Sequence, residues 1–198
     1  MLELITLIES IDFNWSLLET CAVFFSLAYV ILAAKENIWC WAAAIISVSI
    51  YVYICYNAQL YAETGLQVFY FFMAVYGYFS WSNNNKPLQI SEWKINTHLL
   101  IILAGSLTTF LLGFLFSTYT NAKMPIIDSL TTVFSIFATY MVVKKILSNW
   151  LYFIIIDAIS IYLYFSRELH LTALLFLFYT FIAVIGFIKW NRILQKNE

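Results

Sequence analysis

Residues 66–81, LQVFYFFMAVYGYFSW, return at residues 175–190 as LFLFYTFIAVIGFIKW. They belong to a longer match. Sliding residues 24–81 by 109 positions onto residues 133–190, without a gap, makes 17 of the 58 pairs identical, where composition alone would give about four or five. The matches include Ser26 with Ser135, Lys35 with Lys144, Trp41 with Trp150, Tyr53 with Tyr162 and Leu60 with Leu169. Phe69-Tyr70, Ala74-Val75, Gly77 and Trp81 reappear as Phe178-Tyr179, Ala183-Val184, Gly186 and Trp190. An internal duplication accounts for this.

The duplicated unit is a membrane unit. With 198 residues, 63% apolar, 20% aromatic and 11% charged, the chain has too little charge to coat a water-soluble globule of its size. Charge-free runs cover 37–62, 64–85, 95–122 and 169–188, each long enough at about 1.5 Å per residue to cross a hydrocarbon core of roughly 30 Å. Three further spans carry one acid each: 13–34 with Glu19, 124–143 with Asp128 and 146–166 with Asp157. Seven transmembrane helices follow, because a β-barrel would instead show segments of about ten residues alternating apolar and polar. The acids Glu3, Glu9 and Asp12 precede the first span where a cleaved signal peptide would carry basic residues, so that span is expected to be retained. Cys21, Cys40 and Cys55 lie in or beside apolar spans and read as small packing residues rather than disulfide or metal groups. A net charge of −1 leaves no basic stripe for nucleic acid.

Seven spans put the termini on opposite sides. Eight of the ten Lys and Arg residues gather on one of them: Lys35, Lys86, Lys94, Lys144, Lys145, Lys189, Arg192 and Lys196, against Lys123 and Arg167. The bias places the C-terminus in the cytoplasm and the N-terminus outside. The duplication maps spans 1–3 onto spans 5–7, an even number of crossings apart, so the two triplets are parallel. The expected layout is a first triplet over 13–81, a loop and inverter helix over 82–122, and a second triplet over 123–190. A pseudo-two-fold axis runs along the membrane normal, as in parallel-repeat transporters.

Asp157 stands near the middle of its span with no Lys or Arg at its depth. A carboxylate there costs about 2.5–3.5 kcal/mol on insertion scales and marks a functional site by default. At helical spacing it shares a face with Trp150, Phe153, Ser160 and Tyr164. Span 3 makes a stripe of Glu63, Gln67, Tyr70 and Ala74, span 5 one of Asp128, Thr132, Ser135 and Thr139, and span 7 one of Thr172, Phe176, Tyr179 and Ala183. These faces converge on a cavity between the triplets, although Ser and Thr also serve as interhelical glue. The candidate substrate-binding residues are therefore Asp157, Trp150, Tyr164, Gln67, Tyr70, Glu63, Ser160, Thr132, Ser135 and Tyr179, with no catalytic residue, metal or cofactor expected. Glu19 and Asp128 read as helix-end acids, Trp81 and Trp190 as interfacial aromatic anchors, and Gly77 and Gly186 as points of close helix contact. His98 and His170 read as solvated end residues.

Gln59-Leu60-Tyr61-Ala62, Leu66-Gln67-Val68-Phe69-Tyr70, Tyr76-Gly77-Tyr78 and Trp81, together with Asp128-Ser129, Ser135, Lys144-Lys145 and Asn149-Trp150, resemble the signatures of the PnuC vitamin transporters. The resemblance spans nearly the whole chain and its three-plus-one-plus-three layout. It implies a SWEET-like fold, a homotrimer, and facilitated inward diffusion of a vitamin precursor that a cytoplasmic kinase then traps. Nicotinamide riboside members of the family carry asparagines at places aligning with Ala74, Asp157 and Ile185. Lacking them and gaining a carboxylate, the chain is more similar to the thiamine-transporting branch, PnuT. Thiamine, a cation with two aromatic rings, suits an acidic, aromatic site; nicotinamide riboside, also cationic, is the alternative. An intramembrane enzyme would need a nucleophile–base pair or a metal cluster that the sequence does not display. A retinal protein would need a central lysine in span 7.

Overall fold

The protein is described by a computed structural model covering residues 17–57, 61–82, 87–120, 124–166 and 170–197. Among the described residues seven helices follow in order: α1 (Leu17–Ala34), α2 (Trp39–Asn57), α3 (Tyr61–Trp81), α4 (Ile95–Tyr119), α5 (Pro125–Val143), α6 (Asn149–Phe165) and α7 (His170–Asn197). Five of them, α1, α2, α4, α5 and α7, contain stretches long and apolar enough to cross a membrane. The apolar α6 has 17 residues, at the short end of the roughly 17–25 that span.

α1 packs on α2, α2 on α3, α3 on α5, α5 on α6, α6 on α7, and α7 back on α1. Six helices thus close a ring whose halves, α1–α3 and α5–α7, meet twice. Under the duplication the α1/α7 and α5/α3 contacts are one contact repeated, so the pseudo-two-fold axis runs through the ring. α4 packs along α5, with its small residues Gly105, Thr109 and Gly113 buried on one face under Phe134 and Ile126. Its opposite face exposes Leu99, Leu103, Leu107, Phe110 and Phe114, as a helix bounded by lipid should. Between helices that lipid solvates as well as they solvate each other, association rests on close packing. Small residues, here Ala22, Ala44, Ala74, Ala138, Ala173 and Ala183, permit the close approach.

Every described Lys and Arg lies at one end of the ring, the basic face; Lys86, Lys123 and Arg167 are outside the described residues. The core thickens at that end. Trp41 packs under Gly77 and its repeat mate Trp150 under Gly186, and four indoles run in series, with ring centroids 5.2 Å apart for Trp41–Trp81, 6.3 Å for Trp81–Trp190 and 5.4 Å for Trp150–Trp190. Trp190 is fully buried, and Trp81 donates from Nε1 to the Val143 carbonyl at 3.1 Å. The expectation that Trp81 and Trp190 are interfacial anchors is therefore corrected: they join the two triplets across the axis.

The linker before α4 docks on the turn between α5 and α6. Ser91 donates its N–H to the Lys145 carbonyl at 3.1 Å and accepts from Leu147 at 2.9 Å. Glu92 receives the Ser148 N–H and hydroxyl at 2.9 and 2.8 Å, capping α6 from outside its own sequence. His98, expected to be solvated, instead hydrogen-bonds Glu92 at 3.1 Å and the Tyr152 hydroxyl at 3.2 Å. It is held there because the linker brings Glu92 over the start of α6. The side chain of His170 lies outside the described residues.

Candidate functional site

Asp157 is the ninth of the 17 residues of α6 and is 5% exposed. Its depth follows from the helix: α6 starts at the basic face, and eight residues at about 1.5 Å each carry Asp157 to the level of the bilayer centre. Ser160, one turn on, is 3% exposed. From α7, Tyr179 brings a hydroxyl within electrostatic reach of Asp157 and of Tyr51 on α2. The same hydroxyl hydrogen-bonds Ser26 of α1 at 2.6 Å, across the α1/α7 contact between the triplets. Towards the face opposite the basic one, Tyr164 stacks on Phe176 with ring centroids 5.2 Å apart and planes 13° from parallel.

The other half of the ring supplies the repeat mates. Ser135 on α5 and Tyr70 on α3 correspond to Ser26 and Tyr179, and both are half-buried on the helices that form the second contact between triplets. Tyr70 lies within electrostatic reach of Tyr29 on α1. Gln67 and Thr132 are half-buried on α3 and α5, while the side chain of Glu63 lies outside the described residues. Phenols from α1, α2, α3 and α7 and one carboxyl from α6 thus carry the polar surface of an apolar ring. A carboxyl and phenols are groups that pair with a flat cationic ring, through charge and the negative faces of the phenols. If Gln67 supplies a hydrogen bond to that ring's substituents, Gln67→Ala is expected to weaken ligand binding about three- to tenfold with an unchanged melting temperature. Equal affinity in a titration of the two proteins would move the site away from α3.

The structure separates Trp150 from this group. A spacing of seven keeps it on the Asp157 face, but about 10 Å nearer the basic face, where it is 2% exposed and packed on Gly186 and Trp190. That packing makes it part of the core at this end. Ile185 is 46% exposed, on the wall of a peripheral groove of about 540 Å³ along α7 with Ile188, Lys189 and Arg192. A second peripheral groove of about 280 Å³ lies between α2 and α3. Neither includes Asp157. Of the three places that the family resemblance fills with asparagine, Ala74 and Asp157 are buried and Ile185 is exposed.

Ser26, Tyr29 and Tyr51 were not among the residues read from sequence. The duplication carried the signal, since Ser26 is the mate of Ser135 and Tyr51 of Ser160. At the basic face Lys144 donates to the Tyr76 hydroxyl, which pushes its pKa up from the ordinary lysine value.

Two parallel triple-helix bundles closed into a ring over buried polar groups at mid-depth are the build of a membrane carrier. Residues 16–192 match the nicotinamide mononucleotide transporter family, and the chain belongs to that family. It is 26% identical over 207 aligned residues to the nicotinamide riboside transporter PnuC of Escherichia coli (strain K12), covering 90% of this chain and 86% of that one. It is 22% identical to the nicotinamide riboside transporter PnuC of Neisseria mucosa, covering 85% and 70%. The crystal structure of the vitamin B3 transporter PnuC superposes with a TM-score of 0.74 at 21% identity, over 100% of this chain and 88% of that one. The protein is a multi-pass membrane transporter of the PnuC type, whose substrate is a small vitamin.

Proposed function

We propose that the protein carries nicotinamide riboside inward across the bacterial inner membrane, with the basic face in the cytoplasm. The substrate assignment rests on the relatives, which are named for nicotinamide riboside and align over 85–90% of this chain. The buried carboxyl of Asp157 among phenols is compatible with it, because the riboside's pyridinium ring is flat and positively charged. Entry is passive in this reading, and phosphorylation in the cytoplasm makes it effectively one-way.

One observation favours thiamine as a second reading. The two buried positions where the nicotinamide riboside members are expected to carry amides hold an alanine and an acid, Ala74 and Asp157. That exchanges a hydrogen-bonding pattern suited to a carboxamide for a negative charge. Titrating the purified protein with nicotinamide riboside, thiamine and riboflavin side by side decides the matter. The proposal expects nicotinamide riboside to bind at least about tenfold, or 1.4 kcal/mol, more tightly than either of the others. Preferential binding of thiamine would replace it.

A further inference from the structure

The turns that close α1 and α5 are the same turn twice. In the first, Glu36 donates its N–H to the Ala33 carbonyl and Asn37 to Leu32, both at 3.0 Å; in the second, Lys145 donates to Val142 and Ile146 to Met141, both at 2.9 Å. This is the Schellman arrangement, whose left-handed residue is usually glycine because a Cβ is strained there. Here the residues are Glu36 at φ 54° and Lys145 at φ 51°. The two positions are repeat mates, 109 residues apart, and their side chains meet: Lys145 Nζ lies 2.9 Å from Glu36 Oε2.

A contact between equivalent positions lies on the pseudo-two-fold axis, which is also the axis of the ring. The pair is only partly exposed, at 12% for Lys145 and 23% for Glu36. Beneath it lies another contact between mates, Trp81 on Trp190, and Lys145 Nζ sits 4.7 Å above the Trp81 ring. Both turns thus carry a charged side chain at a position where glycine would relieve the strain. We propose that Glu36 and Lys145 form a latch that holds the basic-face end of the transport path shut and parts when the two triplets separate there. It joins the α1–α2 turn to the α5–α6 turn, so any opening at this end that separates the triplets must break it. The inference concerns the gate and holds for either substrate.

The protein carries its own reporter. Cys40, in the first turn of α2, is fully buried and within electrostatic reach of Lys145. With Cys21 and Cys55 changed to serine, a membrane-impermeant maleimide applied to inside-out vesicles, without substrate, measures how often this end opens. Glu36→Gly and Lys145→Gly relieve the turns while deleting the pair, so loss of fold is not the expected outcome. Each should raise the Cys40 labelling rate about three- to tenfold. The exchange Glu36→Lys with Lys145→Glu should return it to the original rate, because the mates share one backbone conformation and the relocated lysine comes to Trp190, the mate of Trp81. Unchanged labelling in the glycine variants would overturn the proposal. So would labelling in the exchanged protein as fast as in the single variants, or acceleration only in right-side-out vesicles.

Discussion

Asp157→Asn is expected to weaken binding of the cationic substrate by about tenfold to more than a hundredfold, the equivalent of roughly 1.5–3 kcal/mol for a hydrogen-bonded charge. The substitution is nearly isosteric, so the ring packing around α6 is preserved and the change is confined to charge and hydrogen-bonding pattern. Melting of the empty protein should hold or rise, because a buried acid with no Lys or Arg among the described residues at its depth carries a desolvation cost that an amide avoids. Neutral nicotinamide, lacking the pyridinium charge, should bind both proteins alike. Isothermal titration and thermal unfolding of the two proteins in the same detergent separate recognition from packing. Should the variant melt lower yet bind its cation as tightly as before, Asp157 is a helix-packing acid and recognition belongs to the phenols.

Apolar run length and the 109-residue offset were enough to read seven helices and their parallel pairing, because both are one-dimensional properties of the chain. Depth was harder. Periodicity put Trp150 on the Asp157 face correctly, but a helical face extends the full length of the helix. The useful sign was identity between the repeats: Trp41 and Trp150, Gly77 and Gly186, and Trp81 and Trp190 are the same in both halves, and all of them build the packing at the basic face. The candidate site mixes the two, with Tyr70 and Tyr179 or Ser26 and Ser135 alike in both halves and other positions that differ. Asp157 has valine as its mate at 48, Gln67 has phenylalanine at 176, and Glu36 has the opposite charge at Lys145. Such differences give a near-symmetric ring a preferred orientation for an asymmetric solute. His98 escaped for another reason, since its partners Glu92 and Tyr152 meet only once the linker has docked on α6, which no local pattern encodes.

Gly77→Ala is expected to destabilise the protein by about 1–3 kcal/mol or more, and to do so through one contact. A Cβ at residue 77 would overlap the Trp41 ring, and that ring cannot move away freely because it is 1% exposed and packed edge-on against Trp81. Displacing it strains the indole series joining the triplets, so the loss should appear in global melting. Gly65 on the same helix supplies the control: nothing lies within 4 Å of its would-be Cβ, and Gly65→Ala should stabilise by up to about 1 kcal/mol through helix propensity. Trp41→Phe shrinks the ring that meets the new methyl group, so the pair Gly77→Ala with Trp41→Phe should cost less than the sum of the two changes. Strict additivity in thermal unfolding would mean that the alanine acts elsewhere along α3, and that the glycine opposite Trp41 is not what lets the helices close.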